Sequence, residues 1–265
     1  MLFGFPGHHA FTHRPTFRRL KAECGREELA ARLADPAVKS AILAEKNDLP
    51  PDPKLLFDNM FALVQYSLGR IYALGDPPDY EPTPDRAVAN IAKERGEDPL
   101  STLYDLMLES DATAMLMLPF FNYFYGNHDA IREMLLHPAG VVGLSDGGAH
   151  CGMICDASYP TFLLTHWARD RHRGGDRLPL EYVIRKQSHD TAQLFGLSDR
   201  GVIEVGKKAD INVIDMDALT LHPARMAYDL PAGGQRLVQG ASGYTETIVS
   251  GVVVRRDGVD TGARP

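Results

Sequence analysis

Residues 141–150, Val-Val-Gly-Leu-Ser-Asp-Gly-Gly-Ala-His, constrain this chain more than any other stretch. A short apolar run ends abruptly in a glycine-rich polar turn that carries a carboxylate and a histidine. The apolar part, residues 139–144, has the length and β-branching of a buried parallel strand. In α/β folds, ligand sites lie past the carboxyl ends of such strands, where loops present side chains. Glycine there lets the backbone take unusual dihedrals and approach a substrate closely. Asp146, just beyond the strand, is therefore a candidate metal ligand or general base; the plainer alternative is a carboxylate that caps the next helix.

Two reaction classes fit this stretch. Gly143-Leu144-Ser145-Asp146-Gly147 matches G-x-S-x-G, the serine-hydrolase elbow, with Ser145 as nucleophile. That motif needs a strand, a sharp turn at the serine and a helix starting at once. Gly147-Gly148 follows the turn instead, and the sequence offers no helix before about Asp156. His166, His172, His189 and His222 are available as partners, but none has a distinctive setting. The second class is metal-assisted hydrolysis. A divalent ion lowers the pKa of bound water to about 7 and polarises the scissile carbonyl. A carboxylate beside that water can take its proton and deliver it to the leaving amine. Asp146 suits this role, yet a hydrolytic zinc needs about three protein ligands, and Asp146 is one at most.

Elsewhere the pattern is mostly helical up to residue 196. Helices are expected across residues 25–47 (with a break at Asp35-Pro36), 85–95, 99–110, 127–136, 160–171, 180–186 and 190–195, with Gly96 and Gly196 as stops. Residues 61–73 read as strand, turn, strand, and residues 114–118 as a buried strand parallel to 141–144. His8, His9 and His13 lack the alternate spacing of a strand metal site; they read as loop residues near a substrate or exposed. Beyond Gly196 the character changes. Residues 202–204, 211–214, 247–249 and 252–254 read as short strands of an antiparallel unit, with turns at 206–208 and 250–251.

Composition narrows the class further. The 265 residues allow one large or two modest domains, and a formal charge of −7 without a basic cluster argues against nucleic acid. No apolar run reaches membrane-spanning length. Cys24, Cys151 and Cys155 are too few for a disulfide framework and fit a reducing cytoplasm. The lone C-x3-C of Cys151 and Cys155 lacks the second pair of a structural zinc site.

The run 143–150 resembles the eighth-strand segment of amidohydrolases of the D-aminoacylase type, the N-acyl-D-amino-acid deacylases. Residues 194–211, Leu-Phe-Gly-Leu-Ser-Asp-Arg-Gly-Val-Ile-Glu-Val-Gly-Lys-Lys-Ala-Asp-Ile, are similar to that superfamily's passage from barrel to β-sandwich. So are residues 244–258, and Asp229-Leu-Pro-Ala-Gly-Gly-Gln-Arg-Leu-Val-Gln239 is similar to the deacylase branch in particular. The resemblance implies an α/β fold: the C-terminal part of a metal-dependent (β/α)8 barrel with a helical insertion over residues 1–198, then a β-sandwich portion over 199–265. It implies one or two zinc ions and a small N-acylated amino acid as substrate, cleaved at its amide bond. Asp146 would be metal ligand and catalytic base, with Gly147 and His150 in the substrate loop.

The family's remaining ligands, a first-strand His-x-His, a bridging ligand and two later histidines, have no counterpart here. The abrupt Met1-Leu-Phe-Gly-Phe5 adds to the expectation that this is a piece of a longer enzyme. On that expectation the chain alone is not a competent deacylase, and a missing N-terminal half or an oligomer partner completes it. A non-catalytic remnant or binding module is the alternative from a different class; it must cover the long apolar edges an opened barrel leaves unpaired.

Overall fold

The computed structural model describes residues 1–48, 64–143, 145, 147–148 and 150–265. Helices and short strands mix in an α/β arrangement. Three helices (Pro15–Glu23, Arg26–Leu33 and Pro36–Ala44) open the chain. Asp35 begins the third as foreseen, its side chain accepting from the Ala37 N–H at 2.8 Å. Val88–Arg95 ends at Gly96, whose φ of 69° only glycine takes without cost. Pro99–Ala112 starts at Asp98, which accepts from the N–H groups of Leu100 and Ser101. Its Leu103, Tyr104 and Met107 are fully buried, and the Tyr104 hydroxyl donates to the Leu33 carbonyl at 2.8 Å. This packing joins the first helices to the body of the chain.

The small first sheet holds β1 (Leu2–Phe3), β2 (Tyr72–Ala73) and β3 (Leu116–Met117). Strand β3 is central and antiparallel to both neighbours: Met117 faces Leu2 on one side and Tyr72 on the other. The buried strand expected at 114–118 is present, but its expected parallel partner is not. Residues 141–143 are irregular, and Val141 is half exposed. The physical reason is that β1 and β2 already take both edges of β3, so residues 141–143 cannot pair with it directly. The segment is held from outside instead: Lys186 Nζ donates to the Gly140 carbonyl at 2.5 Å. Residues 64–73 carry two 3-10 turns, Val64–Tyr66 and Leu68–Arg70, before β2; the expected strand there begins at residues that lie outside the described ones.

Further along come Asp129–Leu136, then Tyr159–Phe162 continuing as a π-helical stretch, Leu163–Asp170, and the helices Leu180–Gln187 and His189–Leu194. Beyond them the chain is antiparallel β. Strands β4 (Ile211–Ile214), β9 (Tyr244–Val249), β10 (Val252–Arg256) and β11 (Val259–Asp260) form one sheet in the order β11-β10-β9-β4. The turn between β9 and β10 has positive φ at both Ser250 and Gly251, the mirror-image turn that matches hairpin twist. Strands β5 (Thr220–Leu221) and β8 (Ala241–Ser242) form one further pair, β6 (Arg225–Leu230) and β7 (Gly234–Val238) another. Residues 202–204, expected as a strand, are irregular and exposed. With Ile203 89% and Val205 102% exposed, apolar character alone did not recruit a pairing partner.

Gly243 sets how closely the start of β9 approaches the segment just before β5. Its φ is +95°, and a Cβ there would sit 2.5 Å from Leu219 Cα and 2.7 Å from Leu219 N. Backbone cannot yield as a side-chain tip can. Gly243→Ala should therefore cost about 2–4 kcal/mol, from strained dihedrals plus overlap, as read by urea unfolding.

Candidate functional site

A cavity of about 430 Å³ lies where the helical and β-rich parts meet. One wall is aromatic and aliphatic, with Tyr80, Tyr123, Phe162 and Trp167. The other is the loop of interest: Gly143, Ser145, Cys155, Asp156 and Ser158 line it. Gln239, at the end of the deacylase-like stretch 229–239, completes the rim. Its amide donates to the Tyr80 hydroxyl and the His222 carbonyl, both at 2.8 Å, and its Oε1 accepts from Ser158 at 2.5 Å. Strand β7 is tied to the same loop by the Leu237 N–H, which donates to the Cys151 carbonyl at 2.6 Å. Burial pushes the Cys155 thiol up to about 11 and the Tyr80 hydroxyl to about 12. Both are therefore neutral near pH 7, and Cys155 is no thiolate nucleophile.

Of the residues expected to act, Asp146 lies outside the described residues, as do Leu144 and Ala149. Ser145 reaches the cavity. Gly147 and Gly148 form an exposed turn, with Gly148 at φ +94°. His150 is exposed at φ +49°, and its carbonyl accepts from the N–H groups of Met153 and Ile154. A nucleophile elbow at Ser145 lacks its frame, because residues 141–143 form no strand and the next helical turn after the loop is Asp156–Ser158. His9 and His13 do lie in a loop, but they are not exposed. His9 is fully buried against Phe17, ring centroids 4.3 Å apart, and His13 is 8% exposed. Aromatic neighbours Phe5, Phe11 and Phe17 account for this, and burial first of all holds the His9 imidazole neutral, well below its ordinary range.

Sequence reasoning missed the most organised polar group, which borders the cavity behind His128. Glu81, 2% exposed, accepts from Arg171 on both oxygens, Nε to Oε2 and Nη2 to Oε1, each at 3.0 Å. The His128 backbone N–H adds a bond to Oε1 at 2.7 Å. Arg171 also donates to Asp129 Oδ1 at 2.7 Å and to the Gly175 carbonyl at 2.6 Å. His166 Nε2 lies 3.0 Å from Glu81 Oε2, but the geometry misses that of a hydrogen bond. The π-helical stretch explains how His166 and Arg171 converge. The Arg171 N–H bonds the His166 carbonyl at 2.8 Å, an i to i−5 closure that brings both side chains onto one carboxylate. Burial alone would raise Glu81, yet the contacts of His166, Arg171 and the His128 N–H together hold it well below the carboxylate range.

His128 is pushed down to about 4, chiefly by burial, with Glu81 opposing. Between pH 6.5 and about 4 the unfolded chain therefore binds a proton that the folded chain does not. Stability contributed by neutral His128 is complete above pH 6.5 and falls as pH drops through this window. His128→Phe should flatten the change in urea-unfolding free energy between pH 7 and pH 5.

With this geometry in view, the likenesses to known proteins fall into place. Residues 8–255 match the model of the amidohydrolase family. The chain is an amidohydrolase-family member. Over 152 residues it is 32% identical to an N-acyl-D-glutamate deacylase of Alcaligenes xylosoxydans xylosoxydans, covering 53% of this chain and 29% of that relative. A D-aminoacylase crystal structure is similar at 23% identity and a TM-score of 0.41, over 92% of this chain and 46% of that one. A second D-aminoacylase structure, described for its binuclear metal centre, gives 22% and 0.40 over the same shares. The chain thus spans less than half the length of these relatives. Among the described residues, no helix is long and apolar enough to cross a membrane.

Proposed function

We propose that this chain contributes to metal-dependent hydrolysis of the amide bond of small N-acyl-D-amino acids, with Asp146 as the working carboxylate. The family match over residues 8–255 is the observation that carries this reading. The cavity beside Ser145, with space for a small acylated amino acid and a polar rim facing an apolar wall, supports it. In this reading residues 1–198 are barrel and 199–265 sandwich portion, the ion is zinc, and the protein works in the cytoplasm.

A bound divalent ion supplies Lewis acidity toward the scissile carbonyl and a readily deprotonated water. Asp146 would help hold such an ion and would accept the proton of the attacking water. The same carboxyl then returns that proton to the departing amine nitrogen, so that amine and carboxylate leave. Gly147 and His150, on the exposed turn, bind the substrate from the loop side. The quoted family residues give one metal ligand in this chain. We therefore include in the proposal a partner polypeptide or second copy that supplies the others.

The test is amine release from N-acetyl-D-amino acids with divalent zinc present, beside the L-enantiomers and simple esters. Metal-dependent release from D-substrates is the expected result. Ester hydrolysis that a serine-reactive phosphonate abolishes, with amides untouched, would overturn it.

A further inference from the structure

We propose that Glu81, His128 and His166 form a binding site for one divalent transition-metal ion, with Asp146 not among its ligands. A carboxylate oxygen and one nitrogen from each imidazole lie within 4.8 Å of one another. Two observations bear on these groups. The polar contact of His166 Nε2 is the Glu81 carboxylate itself, 3.0 Å away, and His128 Nδ1 is buried without a hydrogen bond. Buried polar nitrogens are rarely left so, because each forfeits its bonds to water. The second observation is on the carboxylate. Two donors saturate Glu81 Oε1, whereas Oε2 accepts one hydrogen bond, from Arg171, and has His166 Nε2 beside it at 3.0 Å.

The chemistry of the donor set selects the ion. Magnesium and calcium want many oxygen ligands, and this cluster offers one. Two imidazoles with one carboxylate suit zinc, cobalt or nickel. Neutral imidazole is the ligating form, and burial keeps His128 in that form at neutral pH. Metal–nitrogen bonds of about 2.0–2.1 Å require donor atoms roughly 3.4 Å apart. The Glu81–His166 pair stands near this, at 3.0 Å, and the His128 nitrogen, within 4.8 Å of the other two donors, has to move closer on binding. Arg171 brings positive charge to the same carboxylate but shares it with Asp129, and Arg173 donates to the Glu81 main-chain carbonyl. These two guanidinium groups set affinity below that of an all-acidic cage. A second cavity, lined by Glu81 and His166 and also by Asp79 and Asp170, gives the ion a path from solvent. Bound there, it would tie the turn at residue 81 to two helical segments at residues 128 and 166.

The test uses the whole chain, stripped with a chelator and titrated with zinc and with cobalt by calorimetry and visible absorption. One ion per chain and cobalt bands of a nitrogen-containing site are expected, with no uptake of magnesium. His128→Gln and His166→Gln should each weaken binding by about 10–100-fold or more, the scale seen when even an outer partner of a ligand is lost. Circular dichroism checks that each variant is folded, and should one fail, the other and the cobalt spectrum of the unchanged chain decide. Asp146→Asn should leave this binding intact, which separates the site from the hydrolytic reading. Absence of uptake, uptake that neither histidine variant weakens, or uptake that Asp146→Asn abolishes would each overturn the proposal.

Discussion

Replacing Arg171 by methionine is expected to destabilise the chain by about 3–5 kcal/mol, the cost of leaving a buried charge without its partner. The arginine side chain is wholly buried and that of Glu81 is 3% exposed. Methionine fills much of the same volume but withdraws both bonds to the carboxylate, the bond to Asp129 and the one to the Gly175 carbonyl. Glu81→Leu combined with Arg171→Met should recover more than half of the loss, because an apolar pair leaves less unpaired charge. Acid behaviour gives an independent check. The folded-state pKa of Glu81 is depressed, so its contribution is present above the ordinary carboxylate value near 4.5 and is lost as pH falls below it. Arg171→Met should make the stability curve flatter in that acid range. Urea unfolding of the single and double variants from neutral pH to pH 3 measures both effects. A loss below about 1 kcal/mol would mean that water already reaches Glu81, as at a surface pair.

Local chemistry was legible in the sequence; pairing was not. Asp35, Gly96 and Ser250-Gly251 announce a helix start, a helix stop and a hairpin because each solves a backbone problem within a few residues. The antiparallel unit of β4, β9 and β10 was readable for the same reason. Residues 141–144 have the composition of a buried strand, but a strand also needs an unoccupied edge, and β1 and β2 already occupy both edges of β3. Residues 202–204 pair with no strand, although β4 lies at the edge of its sheet. The site divides along similar lines. The glycine-rich loop around Ser145 and Gly147 stood out as a motif. Glu81 sits in a proline-rich turn, and only the tertiary fold brings it to His128 and, 90 residues along the chain, to Arg171. The convergence of His166 and Arg171 depends on a π-helical closure that ordinary helical periodicity does not show. His9 is buried by phenylalanines that the spacing of the histidines could not reveal.

Asp146→Asn carries the largest expected effect on activity. An amide neither takes a proton from water nor ligates a divalent ion as a carboxylate does, so both roles proposed for Asp146 vanish in one isosteric change. Ser145 borders the cavity, yet it lacks the strand and helix that would make it a nucleophile. The two side chains therefore separate the metal and serine mechanisms with minimal change in shape. The direct measurement is kcat for release of amine from an N-acetyl-D-amino acid, with zinc present and with the complementing polypeptide if turnover requires it. Asp146→Asn should lower kcat by about 10³-fold, within the span that a proton-transferring group contributes, while Ser145→Ala stays within about threefold of the unchanged chain. Abolition of turnover by Ser145→Ala, with Asp146→Asn still active, would contradict the account.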